Sequence, residues 1–357
     1  MGKGVEQERL TIGIDLGDRR SRYCVLDESG EVLWEGSVAT TPKAMREQFG
    51  ALHRSRVVIE VGGHSRWASQ ELAQCGHEVI VANPRNVKLI TQSTRKNDRV
   101  DARMLARLGR VDPELLSPIR HRSEAAQVDL AVIRAREALV EARTQLINCV
   151  RGMVKATGER VSKCASERFS EQAAEQMPPR LRPALAGLLE QIEQLNEAIR
   201  GYDCQIAYLA QTRYPETARL EQVDGVGTLT VLTFVLTVED PGRFRKSRQV
   251  GCYLGLRPKQ SQSGESDPQL RITKTGDVYL RQLLVNCAHY ILGPFGADCK
   301  LRRWGLQLAA RGGKNAKKRA IVAVARKLAV LLHRLWVSGE RYEPLRGCEA
   351  PVASQAA

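Results

Sequence analysis

The sequence predicts an α/β domain at its N-terminal end, followed by a mainly helical remainder. Within the first hundred residues, short apolar stretches typical of strands alternate with stretches of helical spacing. Such alternation indicates a mixed sheet with helices on its faces. Between residues 123 and 157 the chain has no proline, and apolar residues recur at alternating steps of four and three. This spacing is typical of one long amphipathic helix.

The predicted elements of the N-terminal domain follow from apolar runs and the turn residues between them. Strands are predicted over residues 11–15, 21–26, 31–38, 57–59 and 78–82, and helices over 41–52 and 67–74. The first strand ends on Asp15, and the fourth is followed directly by Glu60.

Two long helices are predicted in the middle of the chain. The seam of the first is predicted at positions four and three residues apart, namely Val128, Val132, Ala135, Leu139, Ala142, Leu146, Cys149 and Met153. Prolines at 178, 179 and 183 interrupt the pattern, which resumes over residues 188–209. An antiparallel coiled-coil arm that mediates dimerisation and ordinary bundle packing within one domain both fit this pattern.

The predicted organisation has four parts. An α/β domain covers residues 9–120, a helical coiled-coil linker 121–215, a mainly α domain 216–340, and a disordered tail 341–357. The third part contains a loop-rich stretch, residues 253–276, with many Ser, Gly, Gln and Lys.

The charge balance predicts a polyanionic partner. Lys and Arg number 55 against 40 Asp and Glu, a net charge of +15, and the pI is about 9.6. Nucleic acid is the usual partner of such a chain, although charge alone does not distinguish DNA, RNA and an anionic membrane surface.

No apolar run is long enough to span a membrane. Nine dispersed cysteines indicate reduced thiols and a cytoplasmic protein, rather than a disulfide framework or a zinc site.

Four carboxylates form a candidate metal site. Asp15 and Glu60 end strands, and Asp98 and Asp101 stand three residues apart at a predicted helix start, where they share a face. Oxygen ligands of this kind suit Mg²⁺ or Mn²⁺, which could act on a phosphodiester. Acids in these places also serve as turn or helix-cap residues. The surrounding sequence is strongly basic, and Arg95 and Lys96 are candidate nucleic-acid-binding residues.

The spacing of several motifs resembles that of insertion sequence 110 family transposases over about residues 10–300. The motifs are Ile-Gly-Ile-Asp15-Leu-Gly, Ile59-Glu60-Val-Gly-Gly, Lys96-Asn-Asp98-Arg-Val-Asp101-Ala-Arg, Leu254-Gly-Leu-Arg-Pro258, Gln262-Ser263-Gly264 and Arg271-Ile-Thr-Lys274-Thr-Gly276-Asp277. The first three resemble the DEDD motif of that family. Gly276-Asp277 stands where Gly-Asn is common.

The resemblance implies a RuvC-like, ribonuclease-H-type domain, a coiled-coil linker and a C-terminal transposase domain. It also implies that Ser263 is a nucleophile that forms a covalent phosphoserine, completed by the carboxylates and metals of a second protomer. Family members with a bridge (guide) RNA use it to choose their DNA.

Read without the resemblance, Ser263 is one of three serines in a polar loop, with no histidine nearby to act as a base. Lys259, Arg271 and Lys274 are candidates for binding phosphate near it.

The leading hypothesis is a transposase, a homodimer or homotetramer, that cuts and rejoins DNA of a mobile element. The alternative enzyme is a RuvC-like, metal-dependent, structure-specific nuclease without a covalent intermediate. A second alternative is a nucleic-acid-binding protein whose acids are structural, and a third is a sugar-kinase or actin-like ATPase, since these share a strand-end Asp followed by Gly.

Overall fold

The computed structural model describes residues 10–83, 97–268 and 270–346. The chain divides into two compact units, with the boundary in sequence between His121 and Arg122. Each unit contains hydrophobic cores of its own. Within the described ranges, no helix is both long and apolar enough to cross a membrane.

The N-terminal unit contains a five-stranded mixed sheet. Its strands are β1 (Thr11–Asp15), β2 (Arg20–Leu26), β3 (Val32–Ala39), β4 (Arg56–Glu60) and β5 (Glu78–Ala82). They lie in the order β3-β2-β1-β4-β5. The β1–β2 and β2–β3 pairs are antiparallel, whereas β1–β4 and β4–β5 are parallel. The predicted mixed α/β sheet is therefore confirmed.

Helices cover both faces of this sheet, because alternate residues of a strand point to opposite sides. On one face, Ile12, Ile14, Val57 and Ile59 share a core with helices α1 (Pro42–Phe49) and α2 (Ser65–Gln74). On the other face lies α3 (Asp98–Val111), whose Leu105 packs with Val58.

The C-terminal unit is helical. Its helices are α4 (Glu124–Ala156), α5 (Phe169–Gln176), α6 (Arg182–Thr212), α7 (Thr217–Leu220), α8 (Thr228–Val238), α9 (Arg248–Tyr253), α10 (Val278–Leu292), α11 (Lys300–Ala310) and α12 (Ala316–Ser338). The predicted helical remainder is confirmed.

The long helices α4 and α6 run antiparallel. The start of α4 shares a core with the end of α6 through Leu130 and Ile206, and the end of α4 meets the start of α6 through Val154 and Leu185. The coiled coil that the resemblance implies stays a prediction.

The predicted seam of α4 is wrong in part, although its Val132 and Leu146 do pack against the cores of the unit. The buried residues of this helix include Leu130, Ile133, Ile147, Val150 and Val154, which do not belong to the predicted set. The predicted Val128 and Met153 are instead 60% and 45% exposed.

Polar partners explain why the seam is displaced. The buried face of α4 includes two charged residues, each paired across the helix interface. Asp129 accepts hydrogen bonds from Arg213 (2.7 Å) and from the hydroxyl of Tyr214 (2.6 Å). Arg143 donates to Asn196 over 2.8 Å. A search for apolar periodicity cannot identify a face that buries charged residues.

The predicted boundary at residue 215 stays a prediction. Helices from both sides of it share one core, in which Leu130 and Ile206 lie with Leu236 of α8 and Tyr279 of α10. Residues 341–346, which the sequence assigns to a tail, are described, and Tyr342 packs on the main C-terminal core. Residues 347–357 lie outside the described part of the chain.

Candidate active site

Asp15 and Glu60 lie side by side at the carboxyl edge of the sheet. They are the last residues of β1 and β4, neighbouring parallel strands in which Ile14 aligns with Ile59. Gly13 and Val58, two residues earlier, face α3. Because residues two apart in a strand share a face, both carboxylates belong to the α3 face of the sheet.

The backbone of α3 lies directly on β1. A Cβ atom added to Gly13 would be 2.0 Å from the carbonyl oxygen of Ala102 and 2.4 Å from the amide nitrogen of Ala106. Only glycine permits this approach. The close contact places the first turn of α3, which carries Asp98 and Asp101, over the strand that ends at Asp15.

The two acids of α3 differ in environment. Asn97 caps the helix by accepting a hydrogen bond from the amide of Arg99 (3.0 Å). Asp101 is buried, whereas Asp98 is exposed. An acid near a helix N-terminus interacts favourably with the helix dipole, so part of the role of both residues is structural.

Glu35 of β3 fixes the first turns of α3 from the side. Its side chain is only 10% exposed and binds two arginines of that helix. Arg99 donates to one of its carboxylate oxygens, and Arg103 donates to the other through Nη2 (2.7 Å) and Nε (2.9 Å). Burial acts to raise the pKa of Glu35, but the hydrogen bonds and charges of Arg103 and Arg99 outweigh it and hold this pKa below its ordinary value.

Sequence reasoning did not find Glu35. Its signal was weak, because an acid within a strand pattern is usually a solvated edge residue. The spacing of Arg99 and Arg103, four residues apart on one helix face, was the only indication of a shared partner.

The four carboxylates share one face and one end of the sheet without forming a closed cluster. Asp15, Glu60 and Asp101 each interact with other groups. In the parts of the chain that the structure describes, no three His, Cys, Asp or Glu side chains are grouped so that they could hold a metal ion. The predicted nucleic-acid-binding residues Arg95 and Lys96 lie outside the described residues.

Ser263 lies at the exposed tip of a hairpin in the C-terminal unit, formed by residues 255–268 and 270–276 and here called the serine hairpin. The amide of Ser263 donates to the carbonyl of Ser266, and the reverse bond has the same length, 3.1 Å. Gly264, at the first turn position, has a φ of +55°. This is the arrangement of a two-residue hairpin turn with glycine where φ must be positive. Ser263 is exposed.

The predicted phosphate-binding cations lie on the same hairpin. The amide of Lys259 donates to the carbonyl of Arg271 (2.9 Å), so these two residues stand opposite each other. The amide of Lys274 donates to Gly255 (3.0 Å) at the base. All three cations are exposed. The structure therefore brings Ser263, Lys259, Arg271 and Lys274 onto one projecting element.

The base of the serine hairpin is closed by backbone contacts and one buried arginine. Gly255 and Gly276 both have positive φ, and a Cβ on Gly255 would lie 2.3 Å from the amide nitrogen of Thr275. The buried Arg281 of α10 donates to the carbonyls of Leu254 (3.0 Å) and Thr275 (2.7 Å), one on each side of the base. Sequence reasoning missed Arg281, which resembles any polar residue of an amphipathic helix.

Asp277, which departs from the family pattern, has two roles here. Its carboxylate accepts from the amide of Leu280 (2.9 Å) and so caps α10. It also accepts from Arg134 of α4 over 2.5 Å. An asparagine would cap the helix equally well, but only the aspartate adds a charge for Arg134.

Two models of known protein families match the chain. A DEDD transposase model of the IS110 group covers residues 12–158, and a transposase model of the IS116/IS110/IS902 family covers residues 217–295. The chain belongs to the IS110 family of transposases. The first match spans all four carboxylates of this transposase, and the second spans Ser263.

Similar curated proteins extend the likeness over nearly the whole chain. The transposase for insertion sequence element IS1111A of Coxiella burnetii is 29% identical over 93% of this chain and 90% of its own length. A probable family 20 transposase of Pseudomonas aeruginosa is 26% identical over 93% and 98%. The transposase for insertion sequence element IS1328 of Yersinia enterocolitica is 27% identical over 78% and 82%. This chain is therefore an enzyme of DNA transposition.

Proposed function

We propose that this transposase cuts and rejoins DNA with Ser263 as nucleophile, assisted by a divalent metal ion at Asp15, Glu60, Asp98 and Asp101. The observation that carries the proposal is the position of Ser263. A solvated loop serine needs no rigid support, whereas this one is at the tip of a hairpin whose base is closed by Gly255 and the buried Arg281.

The chemistry of Ser263 is a phosphoryl transfer in two steps. Its Oγ forms a bond to the phosphorus of the scissile phosphodiester, the bond to the departing sugar oxygen breaks, and the serine proton ends on that oxygen as a free hydroxyl. A sugar hydroxyl of another DNA strand then attacks the phosphoserine and releases the serine, so the number of phosphodiester bonds is conserved. Lys259 and Arg271, which are exposed on the same hairpin, would bind neighbouring phosphates.

The donor chemistry of the carboxylates fits a hard divalent cation. All four offer oxygen ligands, which Mg²⁺ and Mn²⁺ prefer. Asp15 and Glu60 belong to the same sheet face, under the first turn of α3. A cation bound there would neutralise charge on the scissile phosphate.

The strand order β3-β2-β1-β4-β5, with a helix across β1, supports the RuvC-like, ribonuclease-H-type fold.

DNA, a bridge RNA and a second protomer are the proposed partners. The net charge of +15 supports a nucleic-acid partner, and the bridge RNA rests on the family resemblance. The homodimer or homotetramer rests on the proposed reaction, since recombination requires two or four DNA ends to be held together. Light scattering of the protein, alone and with nucleic acid, tests the assembly, and a monomer in both conditions would contradict it. The cytoplasmic location stays a prediction.

Covalent trapping tests the serine. The full-length protein is incubated with Mg²⁺ and labelled DNA that carries both ends of the mobile element, and denaturing gels reveal any covalent adduct. We expect an adduct with the wild type, mapped by mass spectrometry to phosphoserine 263, and none with Ser263→Ala. The matched controls Ser261→Ala and Ser266→Ala remove hydroxyls from the same hairpin and keep the adduct.

Two results would overturn this proposal. An undiminished adduct with Ser263→Ala excludes the serine. Cleavage that is equal in wild type and Ser263→Ala, with no adduct in either, identifies a hydrolytic RuvC-like nuclease. Asp15→Asn separates the two halves of the site, since it is expected to abolish cleavage while leaving DNA binding and Ser263 unchanged.

A further inference from the structure

A basic cleft lies at the C-terminal end of the second unit, away from the serine hairpin in sequence. It encloses about 570 Å³ beside α11 and α12, and the segment that follows α12 forms its wall. This volume lies within the range of ligand-binding clefts, roughly 300–1,000 Å³.

The floor of the cleft is apolar and firmly packed. Leu301 of α11 is buried and belongs to the main core of the unit, against which Leu331 of α12 also packs. Val330 completes this surface. Val330 and Leu331 are half-buried, so they offer the cleft an apolar surface that the core holds in place.

The wall is fixed by hydrogen bonds. The amide of Lys300 donates to the carbonyl of Pro344 (2.8 Å), and its ammonium group donates to the carbonyl of Arg346 (3.3 Å). The amide of Tyr342 donates to the side chain of Gln222 over 3.1 Å. The sequence assigns these wall residues to a disordered tail, yet they form one side of a preformed cleft.

The rim carries an excess of positive charge. Lys300, Lys327 and Arg334 line the cleft, and in the described part of the chain no ion pair with an acid engages any of them. Arg346 is paired with Glu340 (2.7 Å), and Glu343 is the acid among the lining residues.

Among the described residues, Lys327 contacts an aromatic ring and forms no ion pair. Its ammonium nitrogen lies 3.9 Å from the ring centroid of Trp304, a cation–π contact. Burial, followed by the nearby charge of Lys300, lowers the pKa of Lys327 below its ordinary value. Since the positive charges of Lys300 and Lys327 repel each other, an anion bound at Lys327 would relieve the repulsion.

We propose that this cleft binds a single nucleotide unit, with the base against Leu301, Val330 and Leu331 and the 5′-phosphate at Lys327 and Arg334. The inference rests on the proposed nucleic-acid partner, which it deepens by adding a site for one unstacked nucleotide. The cations select a phosphate, since guanidinium and ammonium groups bind it through charge-assisted hydrogen bonds. The apolar floor selects a ligand that carries a flat hydrophobic group beside that phosphate, as a nucleotide does.

Calorimetry with the full-length protein tests the cleft. The probes are the 5′-phosphorylated dinucleotide pTpT, the unphosphorylated TpT, inorganic phosphate, and the ribonucleotide pUpU. We expect pTpT to bind at least about tenfold more tightly than TpT or inorganic phosphate, because it alone offers both a terminal phosphate for the cations and a base for the floor. The ratio of pTpT to pUpU affinity decides whether DNA or RNA supplies the nucleotide.

Matched charge variants on α12 test the assignment. Lys327→Gln and Arg334→Gln are each expected to weaken pTpT binding about tenfold. Lys318→Gln removes the same charge from the same helix but lies outside the cleft, and we expect it to bind as the wild type does. Val330→Glu, which adds an acid to the floor, is expected to abolish binding.

Three outcomes would overturn the proposal: equal affinity for pTpT and TpT, equal affinity for pTpT and inorganic phosphate, or an equal loss with Lys318→Gln. Ser263→Ala separates this site from the proposed reaction, since it is expected to bind pTpT normally. If pTpT binds as expected while no covalent adduct forms with element DNA, the cleft stands and the serine proposal fails.

Discussion

The carboxylate edge and the serine hairpin are held in place by different means. The edge belongs to a buried sheet, where the backbone of α3 lies against Gly13 and leaves no room for a Cβ atom. Residues 257–268 of the hairpin are exposed, and the hairpin is held at its base, mainly by Arg281 and two glycines of positive φ. Change at the edge therefore costs stability of the unit, whereas the tip of the hairpin can be displaced at a much lower cost.

The largest expected effect comes from Gly13→Ala. The added Cβ would lie 2.0 Å from the carbonyl oxygen of Ala102, so α3 must move off the sheet. We expect the N-terminal unit to lose about 3 kcal/mol or more of its free energy of unfolding. Urea denaturation measures the loss. Gly187→Ala on α6, where a Cβ meets nothing within 4 Å, is the control and is expected to be neutral or slightly stabilising. Equal midpoints for both variants would show that the contact at Gly13 does not fix α3.

Arg281→Met is expected to act on the hairpin and not on the edge. The substitution removes the guanidinium that donates to the carbonyls of Leu254 and Thr275. Leaving these carbonyls without that donor costs about 1–3 kcal/mol of the free energy that holds the base of the hairpin. We expect adduct formation to fall about tenfold or more, with the urea midpoint of the N-terminal unit unchanged. Trypsin should cut the loosened hairpin faster at Lys259 and Arg271. Arg281→Lys, which keeps a charged nitrogen donor, should restore part of the activity. If Arg281→Met changes neither adduct formation nor the rate of trypsin cleavage, Arg281 does not position the hairpin.

The smallest expected effect is the pH dependence of Glu35. Its pKa is held below the ordinary value by Arg103 and Arg99 despite burial, so its ionised form is favoured in the folded protein. The resulting stability is present above the pKa of the unfolded chain and is lost as pH falls through the lower, folded pKa.

Glu35→Gln removes this dependence. We expect the variant to be less stable than the wild type at neutral pH by about 1 kcal/mol, because the two arginines are partly exposed. The difference should shrink as the pH falls below 4. Glu47→Gln on the exposed surface of α1 serves as control, and a constant difference at all pH values would contradict the role given to the Glu35 charge.

The strands and turns that carry the candidate site residues could be predicted from short stretches of sequence. The apolar runs that end at Asp15 and Glu60 correspond to observed strands, because buried parallel strands require such runs. Parallel pairing then brings the two carboxylates to one edge, as expected. The position of Ser263 on a polar loop was likewise evident, since Gly264 marks its turn.

What the sequence did not reveal depends on partners distant along the chain. Glu35 is 64 residues from Arg99 in sequence, and no periodicity links them. The buried face of α4 contains Asp129 and Arg143, whose burial depends on partners in and beyond α6. Arg281 acquires its role from the carbonyls of a loop that folds back onto α10. In each case the pairing is set by tertiary packing, which local spacing does not encode.

The contact between Arg134 and Asp277 gives the long helix a mechanical connection to the serine hairpin. Arg134 lies in the first third of α4, a 33-residue helix that is about 50 Å long and stiff. Its guanidinium binds Asp277, which directly follows the hairpin, and lies 5.3 Å from the ring centroid of Tyr279. The helix and the hairpin are therefore joined at this ion pair. While the ion pair holds, a rotation of α4 would also move the base of the hairpin that carries Ser263.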